Sequence, residues 1–310
     1  MFLGSYNGFI LINLNEHIYL WNPATRFWTK VLELDRLNED YRTHGGICFD
    51  SSKNVYKAVL IMRHLTPDYG GESVIVASLE DKQWREIEFP YDISSVSEGI
   101  TLQGRLYYKV RVKKSYVENN NAEDDDNNGN KERQESVWDR FSHRNKVIFL
   151  DPISEKFKMF PVPDPKSYQE ENVIVGLGVI NECLCMTRMD GDKNGVEILV
   201  MKEYGVKESW TSLIFIRNLE INSSYEFAVP FSMTETGEVA LIIGAFDKKI
   251  TVYNPMDDNM RDILVEPEFI FGDIITYVES LISPEEYYWS EEQHKMTEHN
   301  RTKIAWIPSS

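Results

Sequence analysis

Short apolar runs separated by polar turns recur along this chain, and one such unit repeats. In residues 18–31, Ile18, Tyr19, Leu20 and Trp21 form a β-branched and aromatic run, Asn22-Pro23 opens a polar turn, and Phe27, Trp28 and Val31 resume the apolar pattern. Pro23 cannot donate to a strand ladder and Asn-Pro favours turn initiation, so the segment predicts two antiparallel strands joined by about five residues. Trp28 lies six residues after Asn22, Trp84 six after Ser78, Phe157 six after Asp151 and Met260 six after Asn254, with a looser copy from Lys202 to Trp210. These anchors are separated by 56, 73, 53 and 50 residues, and the long interval holds a polar insertion between Val112 and Asn145. Without that insertion the period settles near about 50 residues, a kelch-like length.

A further pair of apolar runs precedes each later hairpin: 47–49 with 56–62, 100–102 with 106–112, and 173–180 with 183–187. Four strands per repeat is the composition of a propeller blade. The expected fold is therefore all-β, a kelch-like β-propeller of antiparallel four-stranded blades, about five of them plus an incomplete sixth, over residues 1–283. A β-sandwich also repeats its strands, but it does not require the same turn chemistry at each return. Asn7-Gly8 predicts a type I′ turn in the first hairpin. Trp21, Trp28, Trp84 and Trp210 are expected in the blade core. The insertion, about 113–143, is rich in Asn, Asp and Glu, buries too little to offset its ordering entropy, and is expected to be disordered. Residues 284–310 are expected to form a loosely ordered tail.

Charge narrows the function classes. A net charge of −17 argues against nucleic acid, whose phosphates need clustered Lys and Arg, and against an anionic membrane surface. No run approaches the length of a membrane-spanning helix, and the N-terminus shows no basic region followed by an apolar one. Three cysteines, Cys48, Cys183 and Cys185, are too few for a disulfide framework, which fits a reducing compartment, cytoplasm or nucleus.

Chemistry-bearing motifs are sparse. Asp124, Asp126, Asn128, Gly129 and Glu135 fit the spacing of an EF-hand calcium loop, yet Lys131 occupies its usual hydrophobic position and the tract before it is a poor helix. Cys183 and Cys185 share one strand face, where two buried apolar thiols are expected. His294 and His299 lie in the polar tail. No nucleophile elbow, Walker loop or dinucleotide glycine motif occurs, so no catalytic residue, cofactor or enzyme activity is expected. The alternative to an interaction module is a propeller that binds or acts on carbohydrate, which would show converging carboxylates and aromatics in its central channel.

Several segments together resemble a known family: Gly4-Ser5-Tyr6-Asn7-Gly8-Phe9-Ile10, then Leu20-Trp21-Asn22-Pro23-Ala24-Thr25-Arg26, Phe49-Asp50-Ser51-Ser52 with Tyr56-Lys57, Gly99 with Leu106-Tyr107, and Tyr277-Val278-Glu279-Ser280-Leu281. This combination is similar to the F-box-associated domain of plant F-box proteins, and the resemblance covers about residues 3–283. It implies the substrate-recognition part of an SCF (Skp–cullin–F-box) ubiquitin ligase receptor, with a protein substrate as partner. The Skp adaptor and cullin are implied only where an F-box lies upstream, and none precedes Gly4 in this sequence. A truncated binder that does not deliver its target is a further alternative. The family's opening Cys is replaced here by Tyr6.

Overall fold

The computed structural model describes residues 1–14, 17–33, 41–66, 71–80, 83–91, 96, 99–112, 144–164, 173–190, 195–217, 219, 227–244, 248–263, 273–281 and 302–307. Blade one comprises β1 (Phe2–Tyr6), β2 (Phe9–Leu14), β3 (His17–Asn22) and β4 (Phe27–Glu33). Blade two comprises β5 (Tyr41–Asp50), β6 (Val55–His64), β7 (Glu72–Ser78) and β8 (Trp84–Glu86). Blade three is β9 (Ile100–Leu102), β10 (Arg105–Val112), β11 (Arg144–Asp151) and β12 (Lys156–Phe160). Blade four is β13 (Ile174–Ile180), β14 (Cys183–Asp190), β15 (Gly195–Met201) and β16 (Trp210–Arg217). Blade five is β17 (Phe227–Met233), β18 (Val239–Gly244), β19 (Lys249–Asn254) and β20 (Asn259–Ile263), and blade six holds β21 (Asp273–Val278) and β22 (Thr302–Ile307). Every sheet is antiparallel with its strands in chain order, giving five four-stranded blades and a two-stranded sixth.

The period-2 pattern explains the ring. Alternate residues of a strand face opposite sides, so a blade with apolar residues on both faces must be covered on both. Leu11 and Leu20 of blade one meet Ala58 and Ile75 of blade two. Val59 and Val76 of blade two meet Leu106 and Ile148 of blade three, and Tyr107 and Phe160 meet Met186 and Trp210 of blade four. Val196 and Ile198 meet Leu241 and Tyr253 of blade five. Two smaller junctions close the circle: Phe231, Ile242 and Ile250 of blade five against Ile274, and Ile10, Ile12 and Trp21 of blade one against Ile275 and Tyr277. The first strands lie around the axis, where β1 neighbours β5, β9 and β21. Their glycines let backbones touch: a Cβ on Gly4 would stand 2.8 Å from the Cα of Gly46.

The repeated turn has one geometry. Asn22 pairs with Phe27, Asp151 with Lys156 and Asn254 with Asn259, so each connection is four residues rather than about five. The leading carboxamide or carboxylate accepts the backbone amide two residues on: Ala24 to Asn22 (2.9 Å), Ile153 to Asp151 (3.1 Å), Met256 to Asn254 (3.0 Å). Proline presets the next φ, and the last residue takes the left-handed region, Arg26 at 60°, Glu155 at 53° and Asp258 at 52°. Asn7 and Gly8, at φ 49° and 86°, have the positive angles the first hairpin requires.

Two expectations need correction. Residues 302–307, expected in a loose tail, form β22 and pair with β21 from Asp273↔Ile307 to Val278↔Thr302. Their β-branched and aromatic composition suits a strand, and β21 would otherwise leave a bare edge in the ring. Of the four tryptophans expected in the core, Trp210 is 8% exposed, but Trp28 and Trp84 are 58% and 48% exposed and Trp21 is half-buried. Periodicity fixes the face a side chain shares, whereas the outermost strand of a blade has cover only where a neighbour reaches it. The insertion at 113–143 lies outside the described residues.

Candidate interaction surface

The residues that carry the family resemblance are used up in joining blades. Asn22 is fully buried; its Nδ2 donates to the Ser280 carbonyl (2.9 Å) while its Oδ1 holds the amides of Ala24 and Thr25. Ser5 Oγ donates to the Thr276 carbonyl (2.6 Å). Gly8 lies so close to blade six that a Cβ would come 2.2 Å from the Ser280 Cβ. Together these tie blade one to the strand that arrives some 270 residues later. Asn7 Nδ2 donates to the Tyr56 hydroxyl (3.1 Å), tying blade one to blade two. Asn22→Ala would remove the bonds to the Ser280 carbonyl and to the two turn amides; the expected loss is about 2–3 kcal/mol, read as a lower urea midpoint at unchanged slope.

The Phe49-Asp50 and Tyr56-Lys57 segments build a buried ionic clasp between blades two and three. Lys57 Nζ donates to Asp50 Oδ2 (2.7 Å), Glu155 Oε1 (2.8 Å) and the Pro152 carbonyl (2.6 Å). Arg85, at the surface, pairs with the other oxygen of Glu155. Burial alone would raise the Asp50 pKa, but the bonds from Lys57 and Ser52 outweigh it and the net shift is downward. Burial would lower that of Lys57, and its two carboxylate partners raise it.

What remains for a partner is what the turns present. In a four-strand meander the first and third turns leave from the same end of the blade, and there the position after Asx-Pro is Ala24, Ile153 or Met256. Ile153 is 57% and Met256 85% exposed. Tyr204, in the equivalent longer loop of blade four, and Leu281, beyond β21, are exposed apolar groups at the same end. Tyr204 also accepts a hydrogen bond from Arg105 Nη1 (3.0 Å), and the Arg105 guanidinium lies over the Tyr204 and Phe149 rings at 5.3 and 5.9 Å. The Tyr204 and Tyr107 hydroxyls share a hydrogen bond; burial, and then that bond, pushes the Tyr107 phenol well above its usual range. The arrangement is a rigid scaffold displaying large apolar and cationic–aromatic groups at loop positions, which is how interaction surfaces are built. Sequence reasoning named no partner-binding residue. The available signal was an apolar side chain at a turn position that has no core to enter.

Among the described residues no candidate chemical site is assembled. Asp124, Asp126, Asn128 and Glu135 lie outside the described residues, as do His294 and His299. Cys185 is buried and Cys183 half-buried; Cys185 Sγ donates to the Cys183 carbonyl, and burial raises its thiol to about 12. Among the described residues no group of three metal-ligating side chains converges. The six inner strands carry two carboxylates, Asp50, which is ion-paired, and Asp273. No helix among the described residues is long and apolar enough to cross a membrane.

Comparison with known proteins agrees with this architecture. The F-box associated beta propeller domain family matches residues 3–284. The Arabidopsis thaliana F-box protein CPR1 is 25% identical over 258 residues, covering 77% of this chain and 57% of that protein. The Arabidopsis thaliana F-box protein At3g07870 is 26% identical over 235 residues, covering 67% and 49%. The chain thus spans about half the length of these relatives. Among solved structures, a luciferin-regenerating enzyme aligns over 89% of this chain and 78% of its own at 11% identity and a TM-score of 0.45. With its match over residues 3–284 and its ring of antiparallel blades, the chain belongs to the F-box associated beta-propeller family.

Proposed function

We propose that this propeller is the substrate-recognition part of an SCF-type ubiquitin ligase receptor, acting in the cytoplasm or nucleus. It holds a protein target and contributes no catalytic group. The observation that carries this reading is the family match over nearly the whole chain, with relatives named as F-box proteins. The division of labour within the ring supports it, since the recurring motifs are spent on inter-blade clasps and the turn ends are left to vary. Contact with the target is assigned to the end that bears Ile153, Tyr204, Met256 and Leu281. Skp and cullin enter through an F-box joined to the propeller.

Affinity capture tests the two halves separately. Joined to an F-box, the chain is expected to retain Skp and cullin, and the 310-residue chain alone to retain neither. The triple variant Ile153→Ser, Tyr204→Ser, Met256→Ser is expected to keep the parent's circular dichroism and a cooperative melt, at a somewhat lower temperature because Tyr204 also bonds Arg105 and Tyr107. It is expected to lose at least tenfold in affinity for any target that the parent retains. Equal retention by parent and variant would remove the turn end from the proposal.

A further inference from the structure

Alternate residues of a strand share a face, and the face that blade three turns toward blade four carries more than apolar cover. Tyr107 pairs with Phe149, Phe149 with Lys158 and Asp151 with Lys156, so these side chains stand in adjoining rows. Tyr107 and Phe160 are buried there against Met201 and Trp210 of blade four. Nearer the turns the face is open: Lys156 is exposed, Lys158 is 50% exposed and Arg105 is half-buried. Glu155 is directed to the opposite face, where it meets Lys57 and Arg85 of blade two. Arg105, Lys156 and Lys158 are thus balanced on this face by Asp151 alone among the described residues of blade three. The loop at 202–209 adds Lys202 and Lys207 together with Glu203 and Glu208, charges that cancel. The result is a cationic patch on a chain of net charge −17.

Arg105 is the oriented member of this set. Its Nη1 donates to the Tyr204 hydroxyl (3.0 Å), and its guanidinium lies over the Tyr204 and Phe149 rings at 5.3 and 5.9 Å. Among the described residues no carboxylate lies within ion-pair distance of Arg105 or Lys156, whereas Asp151 holds Lys158 (2.6 Å). A phenol and two ring faces position the guanidinium but leave its charge uncancelled. A half-buried charge gains more from an opposite charge than one in open water. The planar fork of a guanidinium meets a carboxylate with two N–H groups at once. Apolar surface flanks the set: Tyr204 is 36% exposed, and Ile153, whose amide is bonded to Asp151 Oδ1 (3.1 Å), is 57% exposed.

We infer that this patch receives an acidic residue of the target. An aspartate or glutamate side chain takes the fork of Arg105 with Lys156 and Lys158 alongside, and an apolar neighbour in the same segment packs on Tyr204 or Ile153. This deepens the proposed function and rests on it, since Ile153 and Tyr204 belong to the end assigned to the target. A carboxylate suits the patch better than a dianionic phosphoryl group, because one fork is offered and Asp151 opposes a second negative charge. The stacked guanidinium is ordered before the target arrives, which lowers the entropy lost on binding.

The probe is a library of displayed random twelve-residue peptides panned on the 310-residue chain. Enriched peptides are then synthesised as found and with their acidic residue replaced by Asn or Gln. They are expected to carry Asp or Glu close to a large apolar residue. Binding to Arg105→Gln is expected to be about tenfold weaker and to Lys156→Gln about threefold weaker. Arg63→Gln, which removes an equal charge from the far end of blade two, is expected to bind unchanged. The amide peptide is expected to bind the parent and Arg105→Gln alike, a coupling that a merely structural loss at Arg105 would not produce. Lys156 is exposed, so its variant reads the patch even where Arg105→Gln lowers stability. Asp151→Asn keeps the turn bond, as Asn22 and Asn254 do, and removes the opposing charge; binding is expected to tighten about threefold. Enrichment without acidic residues, no enrichment, or additive losses for Arg105→Gln and the amide peptide overturn the proposal. Peptides that lose affinity for the Ile153→Ser, Tyr204→Ser, Met256→Ser form but bind Arg105→Gln fully also overturn it, while the turn end keeps its assignment. Skp and cullin capture by the F-box-joined chain is read separately, so the ligase reading stands or falls by itself.

Discussion

Gly178→Ala is expected to abolish cooperative folding of this chain. Gly178 lies in β13 with ordinary extended geometry, so the constraint is one of space and not of backbone angle. A Cβ there would stand 1.8 Å from the Pro230 carbonyl oxygen of β17, and one on Gly176 would stand 2.0 Å from the Ala228 carbonyl oxygen. Neither obstacle is the end of a flexible side chain. Both belong to the inner backbone of blade five, which is held by its own ladder and by the junction that contains Ala228, Val239 and Leu241. Overpacking a core by a methyl costs about 1–3 kcal/mol when side chains can give way. Here two strands must separate, so the cost approaches the about 5–15 kcal/mol that holds a domain together. The measurement is thermal unfolding by circular dichroism, with loss of the transition expected. Gly205→Ala is the control for a glycine with nothing within 4 Å of its added Cβ. Its positive φ of 77° limits that substitution to about 1 kcal/mol of strain.

The second large effect is expected at Lys57. Replacing it with Met leaves Asp50 and Glu155 buried without their shared cation, and removing one partner of a buried ion pair costs about 3–5 kcal/mol. The pH dependence identifies the cause. In the parent, Asp50 has a lowered pKa and the Asp151 carboxyl is held at about 2. Burial works against that shift in both, and hydrogen bonds from Lys57 and Ser52, or from Lys158 and the turn amides, prevail. Groups with depressed folded pKa values stabilise above the unfolded value of 3.8 and lose that contribution as pH falls through the folded value. The parent is therefore expected to weaken between about pH 4 and 2. Lys57, raised above 10.5, contributes below that pH and is lost as pH rises past it. In Lys57→Met the buried Asp50 loses the cation that lowers its pKa while burial, which raises it, remains, so stability is expected to increase as pH is lowered from about 7 to 5. Urea midpoints across pH 3–9 read both slopes; a parallel pH profile for the two proteins would show that the clasp is not the cause.

Much of the architecture was legible because it is written in repeated local chemistry. The Asx-Pro turn marks three of the hairpins, which Asn22, Asp151 and Asn254 hold by the same side-chain bond. Five full blades follow from those three together with the copies that run from Ser78 to Trp84 and from Lys202 to Trp210. The clasps were not legible, because their partners lie far apart in sequence: Lys57 meets Glu155 and Asn22 meets Ser280 only once the ring has closed. The tryptophans were misjudged for a related reason. Trp28 and Trp210 have the same local pattern, and Trp210 is 8% rather than 58% exposed because the chain leaving β12 reaches it, the Pro161 carbonyl accepting its indole N–H. β22 was missed because a single strand without its hairpin carries too little periodicity to stand out from a polar tail.

The most direct test of the account is proteome-wide protein turnover in plant cells expressing this chain joined to an F-box, compared with the Ile153→Ser, Tyr204→Ser, Met256→Ser form joined to the same F-box. The account predicts a small set of proteins whose half-lives shorten with the parent and recover both with the variant and on proteasome inhibition. Identical turnover in the two cultures, with Skp captured equally by both, would contradict it.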